Sequence, residues 1–399
     1  MVWLFLISEK SVAKVIKVLR TFVAMMTKKE VRKFLPLIIL TVSILLYVVA
    51  MYAPGVLALV YPRWIYSVLS QGFSTLFSLL PFSFAELLLL LLPIGVIYAL
   101  GKGVFFCLLR KKRAGVYWRR LWGFSWKTTC YLLSVFLLFT GINYHRKPLV
   151  DYAGLQVEPV QKEELMQLCL YLTNLTNDAA EHTCRTREGV FIPEHSFNHV
   201  KQLVSSAYDS LSTHFSIYKG DYPSSKPLVF SHWVSYAYIM GFFFPFTFEV
   251  NINKEIPPFL IPAVVAHEQA HVRGFMREEE AEYTVVLLAR HTNDKELQYS
   301  FYLSTLMRAM SVLYHADDAL YWQVIDFFSD LLINDFNTNT NYWRAFQSPM
   351  RTISKSVNDA YLKANSQSDG VQSYGRVVDL LIADYKQLQI INKQEYEND

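Results

Sequence analysis

Two histidines and a glutamate at helical spacing are the residues of this chain best suited to chemistry. His267 and His271 are four positions apart with Glu268 between them, which makes an HExxH motif. Residues four apart lie on one face of a helix, so both imidazoles can reach one metal ion. Glu268 comes from the same helix and can reach a water molecule at that ion. The motif predicts a zinc hydrolase site; the alternative is a surface helix whose histidines bind no metal.

The residues on either side of the motif predict a helix that begins just before it and ends just after it. Pro262 suits the first turn of a helix, where its missing N–H group costs nothing. Residues 263–266 are an apolar run that leads into the motif, as expected for a buried helix. Gly274 lies where this helix could end, because glycine readily adopts the left-handed conformation.

A catalytic zinc site usually has three protein ligands, which leaves the fourth position to water. The arrangement HExxHxxGxxH would put the third ligand at Arg277, and arginine cannot bind zinc. A Glu-zincin arrangement takes the ligand from a second helix, in the pattern ExxA followed by Asp or Asn. Glu278 matches this pattern, with Glu282 in the Asp or Asn place. We therefore predict Glu278 as the ligand and keep Glu279 and Glu280 as alternatives, since such acids also stabilise a helix N-terminus.

This ligand set indicates a reaction. Two imidazoles and one carboxylate would leave zinc with a net positive charge, which lowers the pKa of bound water towards about 7. Glu268 would accept the proton as this water attacks a carbonyl group, and then pass the proton to the leaving group. The expected function is hydrolysis of peptide bonds in a peptide or protein substrate by an enzyme, with Zn²⁺ as cofactor. The alternative is a catalytically silent metal-binding membrane sensor or scaffold.

The N-terminal third of the chain has the composition of a membrane protein. Hydrophobic residues make up 52% of the chain and aromatic residues 15%, and the excess is concentrated in the first 145 residues. Residues 34–61, 87–109 and 128–144 predict three transmembrane helices. The third segment is the shortest, and a buried core helix is the alternative for it.

The basic residues predict the orientation of these spans. Eight lysines and arginines precede the first span and seven lie between the second and third, against a single arginine between the first two. The positive-inside rule then places the N-terminus in the cytoplasm and everything after residue 144 outside it. Without the third span, the metal domain would be cytoplasmic. The net charge of +4 reflects these membrane flanks, so we expect the lipid bilayer and no nucleic acid as a partner.

These patterns predict a mainly α protein with three parts: a basic amphipathic segment at 1–33, a membrane domain at 34–144 and an α+β domain at 145–399. A short half-buried strand is predicted at residues 247–252, which could hold an extended substrate by edge pairing. A disulfide between Cys169 and Cys184 is possible, but their spacing does not decide it. Helices are predicted at 160–176, 197–215, 283–290, 298–314, 319–332, 358–362 and 377–388, with a polar loop at 366–375.

Five segments of the chain resemble a bacterial membrane family catalogued as domain of unknown function 3810. The resemblance implies a membrane-anchored, zinc-peptidase-like domain, and it implies no substrate. The sequence departs from the family pattern at Glu282, where Asn is usual, which concerns a contact behind the metal ligands rather than the metal itself. The resemblance covers most of the chain, including the three spans, and it rests on residues 241–247, 267–275, 277–281, 358–363 and 373–376.

Overall fold

The computed structural model describes residues 28–365 and 376–398. Most of the predicted N-terminal segment and the predicted loop at 366–375 lie outside the described residues. The chain forms two compact units. One unit runs to Leu69 and also includes Phe84–Lys147, and the other comprises Ser70–Ser83 together with the chain from Pro148 onward. The sequence predicted a division at residue 144, with residues 70–83 in the membrane domain. The structure instead groups Ser70–Ser83 with the chain from Pro148 onward.

Three helices within residues 28–145 are long and apolar enough to cross a membrane, as predicted. They are Val31–Tyr52, Phe84–Leu109 and Lys111–His145. The first ends before Pro54, because a residue that precedes proline is disfavoured in the helical conformation. The third begins directly after the second, so the basic segment between them is helical and not a loop. The helices of this region are α1 Lys28–Tyr52, α2 Pro54–Val60, α3 Arg63–Ser78, α4 Phe84–Leu109 and α5 Lys111–Phe139, followed by a 3₁₀ turn at Gly141–His145.

The rest of the chain is mainly helical. The predicted helices are present, most of them longer than predicted, but residues 319–332 form parts of two helices. The helix is interrupted there, and a new helix begins after Ser329. The Ser329 hydroxyl caps this helix by accepting a hydrogen bond from the Leu332 N–H group. The helices are α6 Leu149–Ala153, α7 Lys162–Glu181, α8 Phe197–His214, α9 Ser231–Ser235, α10 Ile261–Val272, α11 Glu278–Ala289, α12 Lys295–Ala316, α13 Asp318–Ile325, α14 Asp330–Ala345, α15 Pro349–Ala364 and α16 Arg376–Asn398.

A small mixed sheet accompanies these helices. Its strands are β1 Ser225–Pro227, β2 Gly241–Phe244 and β3 Glu249–Ile252, in the order β1-β3-β2. β3 is parallel to β1 and antiparallel to β2, and all four of its residues are buried. The strand predicted at 247–252 is present as β3, but it is fully buried rather than half-buried, and the edge-pairing role considered for it is wrong. Both edges of β3 are already paired, and β2 is the edge strand that packs against α10.

Helix α12 organises the core around this sheet and the HExxH helix. It packs against α7, α10 and α11, and its side chains Tyr299, Phe301 and Leu306 are fully buried. Because α10 and α11 also pack against each other, three helices fix the relative positions of the motif and of the acidic segment that follows it.

A buried lysine ties the connection between the first two candidate spans to the sheet. The Lys226 ammonium donates to the carbonyl oxygens of Phe77 (2.6 Å) and Phe82 (2.7 Å) and to the Glu249 carboxylate (2.8 Å). All three of its hydrogens are therefore used. Ser83 adds a hydrogen bond to the Asn251 side chain, at 2.5 Å. Residues of the connection are thus a structural part of the unit that contains the sheet.

We expect the substitution Lys226→Met to destabilise the protein by about 3–5 kcal/mol, because it removes the ammonium that is paired with the fully buried Glu249 carboxylate. The free energy of unfolding of the full chain in detergent, from denaturant titration, measures the effect. Lys219→Met is the control, since Lys219 is exposed and its loss should change stability by no more than about 0.5 kcal/mol. Equal effects of the two substitutions would contradict this account of Lys226.

Candidate metal centre

Pro262 and Gly274 lie at the two ends of the HExxH helix, as the sequence predicted. Pro262 lies in the first turn of α10, and the N–H group of Ala263 donates to the Ser300 hydroxyl at 3.0 Å. At the other end Gly274 has a φ of 92°, in the left-handed region. The Phe275 N–H group bonds back to the Ala270 carbonyl at 3.1 Å, which completes a Schellman turn. The predicted role of Gly274 is confirmed.

This turn also determines how His271 is oriented. The reversal of the chain at Gly274 brings the Phe275 carbonyl oxygen to 2.7 Å from His271 Nδ1. A ring nitrogen that faces a carbonyl oxygen carries the proton, so the other nitrogen, Nε2, keeps its lone pair. His271 is therefore held with Nε2 available for a metal ion. The glycine in the sequence indicates the turn, but it does not indicate this contact.

A carboxylate lies beside Nδ1 of the other imidazole. His267 Nδ1 is 3.1 Å from Glu282 Oε1, on α11. Its Nε2 faces the Nε2 of His271, at 3.2 Å. The predicted pair of imidazoles is therefore brought together on one face of α10.

Glu278 is the acidic residue that lies beside this pair. Its carboxylate oxygens are 3.3 Å from His267 Nε2 and 3.8 Å from His271 Nε2. The two other candidates are directed elsewhere. Glu280 accepts hydrogen bonds from the Leu149 N–H group and from Arg277, and Glu279 lies 4.0 Å from the Arg376 guanidinium. One potential ligand atom from each of His267, His271 and Glu278 lies within 4.8 Å of the others.

The chemistry of this donor set fits a divalent metal ion such as zinc. Two imidazole nitrogens and one carboxylate are donors that zinc commonly binds in proteins. Burial by itself lowers the pKa of His267, yet the carboxylates of Glu282 and Glu278 raise it well above its ordinary value. The carboxylates thus favour a positive charge at this place.

Glu268 lies beside this cluster. Its side chain is buried, and burial raises its pKa to about 7. A hydrogen bond from the main chain of Phe243, in β2, acts in the opposite direction. β2 can approach so closely because Gly241 has no side chain. A Cβ atom there would lie 2.7 Å from Val264 and 3.1 Å from the Glu268 side chain.

Glu282 and Arg308 belong to the same cluster, and sequence reasoning did not identify Arg308. Glu282 is buried. Its Oε1 accepts a hydrogen bond from the Arg308 guanidinium and lies 3.1 Å from His267 Nδ1. Burial opposes the ionisation of Glu282, but Arg308 and His267 lower its pKa below the ordinary value. Arg308 lies on α12, 26 residues from Glu282. No spacing rule connects the two positions, so only the packing of α12 on α11 brings them together.

The two cysteines of this unit do not form a disulfide. Cys169 is buried in α7 and Cys184 is exposed, and both are free thiols. Burial raises the pKa of Cys169 to about 12, so this thiol is unreactive at neutral pH.

Residues 61–382 match the model of a family described as a protein of unknown function, DUF3810. The chain belongs to this family. The match begins after the first candidate span, so membership is shown for a region with the second and third spans only. This region of the DUF3810 protein contains the whole candidate metal centre, including Glu282 and Arg308. No curated protein and no solved structure matches the chain.

We expect the substitution Gly241→Ala to destabilise the DUF3810 protein by about 1–3 kcal/mol, because the added methyl group overlaps Val264. The double variant Gly241→Ala/Val264→Ala should recover part of this loss, since it removes the overlapping atom. Thermal or denaturant unfolding of the full chain measures both effects. If the double variant lost more unfolding free energy than the two single variants together, close approach of β2 to α10 would not be the reason for glycine at this position.

Proposed function

We propose that this protein is a membrane-anchored zinc metallopeptidase of the Glu-zincin type, with a zincin-like domain built around α10 and α11. The observation that carries the proposal is the convergence of two imidazole nitrogens and a carboxylate beside a buried glutamate. His267, His271 and Glu278 would hold the zinc ion. Zinc bound there supplies Lewis acidity to a water molecule and to the carbonyl oxygen of the substrate.

Glu268 is the general base of the proposed reaction. Its carboxylate follows directly after a ligand on the same helix, so it lies close to the ligand cluster without being part of it. It takes a proton from water as the water attacks the peptide carbonyl carbon, and it gives the proton to the departing amine. Burial favours this role, because it raises the pKa of Glu268 to about 7, and a carboxylate with such a pKa both accepts and releases protons at neutral pH.

The edge strand β2 is the element that we propose for binding the peptide. β2 is paired on one side only, with β3, and its four residues are partly exposed. An extended peptide can add to such an edge through main-chain hydrogen bonds. Because β2 also contacts Glu268 through Phe243, a peptide aligned on it would pass close to the base. This assignment replaces the strand at 247–252, whose edges are occupied.

The substitution Glu268→Gln tests the proposed reaction. We expect the variant to bind zinc with the stoichiometry of the wild-type protein and to cleave a peptide library or casein about 10²–10⁴-fold more slowly, because it lacks the proton acceptor. Metal content is measured by elemental analysis and cleavage by mass spectrometry. Equal zinc and equal cleavage in the two proteins would favour the non-catalytic sensor or scaffold.

The third ligand is tested by comparing Glu278→Ala with Glu279→Ala, its neighbour in sequence. We expect Glu278→Ala to lower the zinc stoichiometry of the purified protein, because one of three ligands is lost. Glu279→Ala should bind zinc as the wild type does, since Glu279 faces Arg376 and not the imidazoles. Undiminished zinc binding in Glu278→Ala would contradict the proposed ligand set.

We further propose that the metal domain lies outside the cytoplasm. Residues Ser70–Ser83 precede the second candidate span, and Pro148 follows the third. Both belong to one compact unit, and parts of one unit cannot lie on opposite sides of a bilayer. An even number of crossings must separate them, which supports the third span as a true crossing. The distribution of lysine and arginine then favours the outer side for this unit.

Single-cysteine variants and a membrane-impermeant maleimide test this location in intact cells. Leu79→Cys reports the connection between the first two spans, native Cys184 the metal domain, and Arg113→Cys the basic half of α5; all three positions are exposed. We expect labelling of positions 79 and 184 before lysis and of position 113 only after it. Labelling of positions 79 and 184 on opposite sides of the membrane would contradict their membership of one unit. Labelling of both positions only after lysis would contradict the proposed orientation.

A further inference from the structure

Arg308 lies beside the candidate metal centre, and a guanidinium does not bind a metal ion. Its guanidinium pairs with Glu282 Oε1, the same oxygen that lies 3.1 Å from His267 Nδ1. The side chain of Arg308 is 22% exposed and that of Glu282 is 7% exposed, so water screens this pair only weakly. Arg308, Glu282 and His267 therefore form a chain of contacts that leads from α12 through α11 to α10.

We propose that Arg308 is a positioning residue for the zinc ligand His267. Its guanidinium anchors and neutralises the Glu282 carboxylate, and this carboxylate holds the His267 ring with Nε2 directed at the metal. The inference rests on the proposed zinc site, and it goes beyond it by giving a role to a residue that touches neither metal nor substrate.

The need for Arg308 follows from the charges around the site. Glu268, Glu278 and Glu282 are three buried or nearly buried carboxylates beside two imidazoles. A buried carboxylate is costly unless a positive partner compensates it. A zinc ion would compensate Glu278 and the general base, but Glu282 lies behind His267 and faces its Nδ1 rather than the ligand cluster. Arg308 supplies the missing positive charge permanently through its ion pair with Glu282.

The identity of residue 282 gives a second reason. A glutamate is longer and has more rotamers than the Asp or Asn expected at this position, so it loses more side-chain entropy when it is held in one orientation. The guanidinium is a planar group with several donors in fixed directions, which is well suited to hold a carboxylate. Arg308 thus compensates for the longer acid in this chain.

Zinc affinity, measured by competition with a chromophoric chelator, tests the proposal without reference to activity. We expect Arg308→Met to weaken zinc binding by about 10–100-fold, the usual effect of losing a group that orients a ligand. Arg308→Lys keeps the charge and should show a smaller loss. In the double variant Arg308→Met/Glu282→Gln the amide oxygen still accepts the His267 N–H group while the uncompensated charge is gone, so affinity should return to within a few-fold of the wild type.

Arg290→Met is the matched control. Arg290 is similarly exposed at 25% and pairs with the nearly buried Asp384, on α16 and away from the ligands. This variant should lower thermal stability and leave zinc affinity unchanged. Replacement of zinc by Co²⁺ adds a second readout, because the visible absorption bands report ligand geometry. We expect these bands to change in Arg308→Met and to stay as in the wild type in Arg290→Met.

The outcomes separate this proposal from the proposed function. Zinc binding by the wild type, weakened in Arg308→Met and recovered in the double variant, supports the positioning role. Zinc affinity in Arg308→Met equal to that in Arg290→Met overturns it, as does a double variant that stays as weak as Arg308→Met. In both of these cases the wild type still binds zinc, so the metal site itself stands. A wild-type protein that binds no zinc overturns the metal site and the role of Arg308 together.

Discussion

The candidate site depends on one electrostatic constraint: several electron-pair donors must be held facing one another in a largely buried place. Lone pairs of two imidazoles and a carboxylate repel one another, and each group also loses hydration when it is buried. Such a cluster persists only if other parts of the protein fix every donor from behind. In this chain a main-chain carbonyl fixes His271 and a carboxylate fixes His267. The convergence is therefore imposed by the fold and not chosen by the side chains themselves.

The surrounding elements can be understood as supports for this constraint. α10 and α11 bring the imidazoles and Glu278 together, and α12 lies against both helices. The edge strand β2 approaches α10 closely at Gly241, which places main-chain groups beside Glu268. Behind β2, the central strand β3 is held by Lys226, whose ammonium also binds two carbonyl groups of the connection between candidate spans. The sheet that borders the site is thus joined to the connection between the first two candidate spans.

This arrangement explains why the unit with the site is not one continuous stretch of sequence. Ser70–Ser83 are separated from Pro148 by two apolar helices, yet they contribute hydrogen bonds to β1 and β3. A buried ammonium cannot be left without acceptors, so the unit requires the carbonyl groups that this segment provides. A part of the chain that begins at Pro148 would lack them.

The sequence alone determined the features that depend on local spacing and composition. Helix geometry decides what the four-residue spacing from His267 and the glycine after the motif indicate. The thickness of the bilayer decides what the length of an apolar segment indicates. Neither depends on distant residues. These features gave the HExxH helix, its end at Gly274 and three candidate spans. The ExxA pattern favoured Glu278, but only the tertiary structure decided that Glu278, and not the adjacent Glu279 or Glu280, faces the imidazoles. It also decided that β3 is central and β2 the edge, and that Arg308 meets Glu282. These contacts join residues far apart in sequence, and their formation depends on how helices and strands pack, which no local pattern specifies.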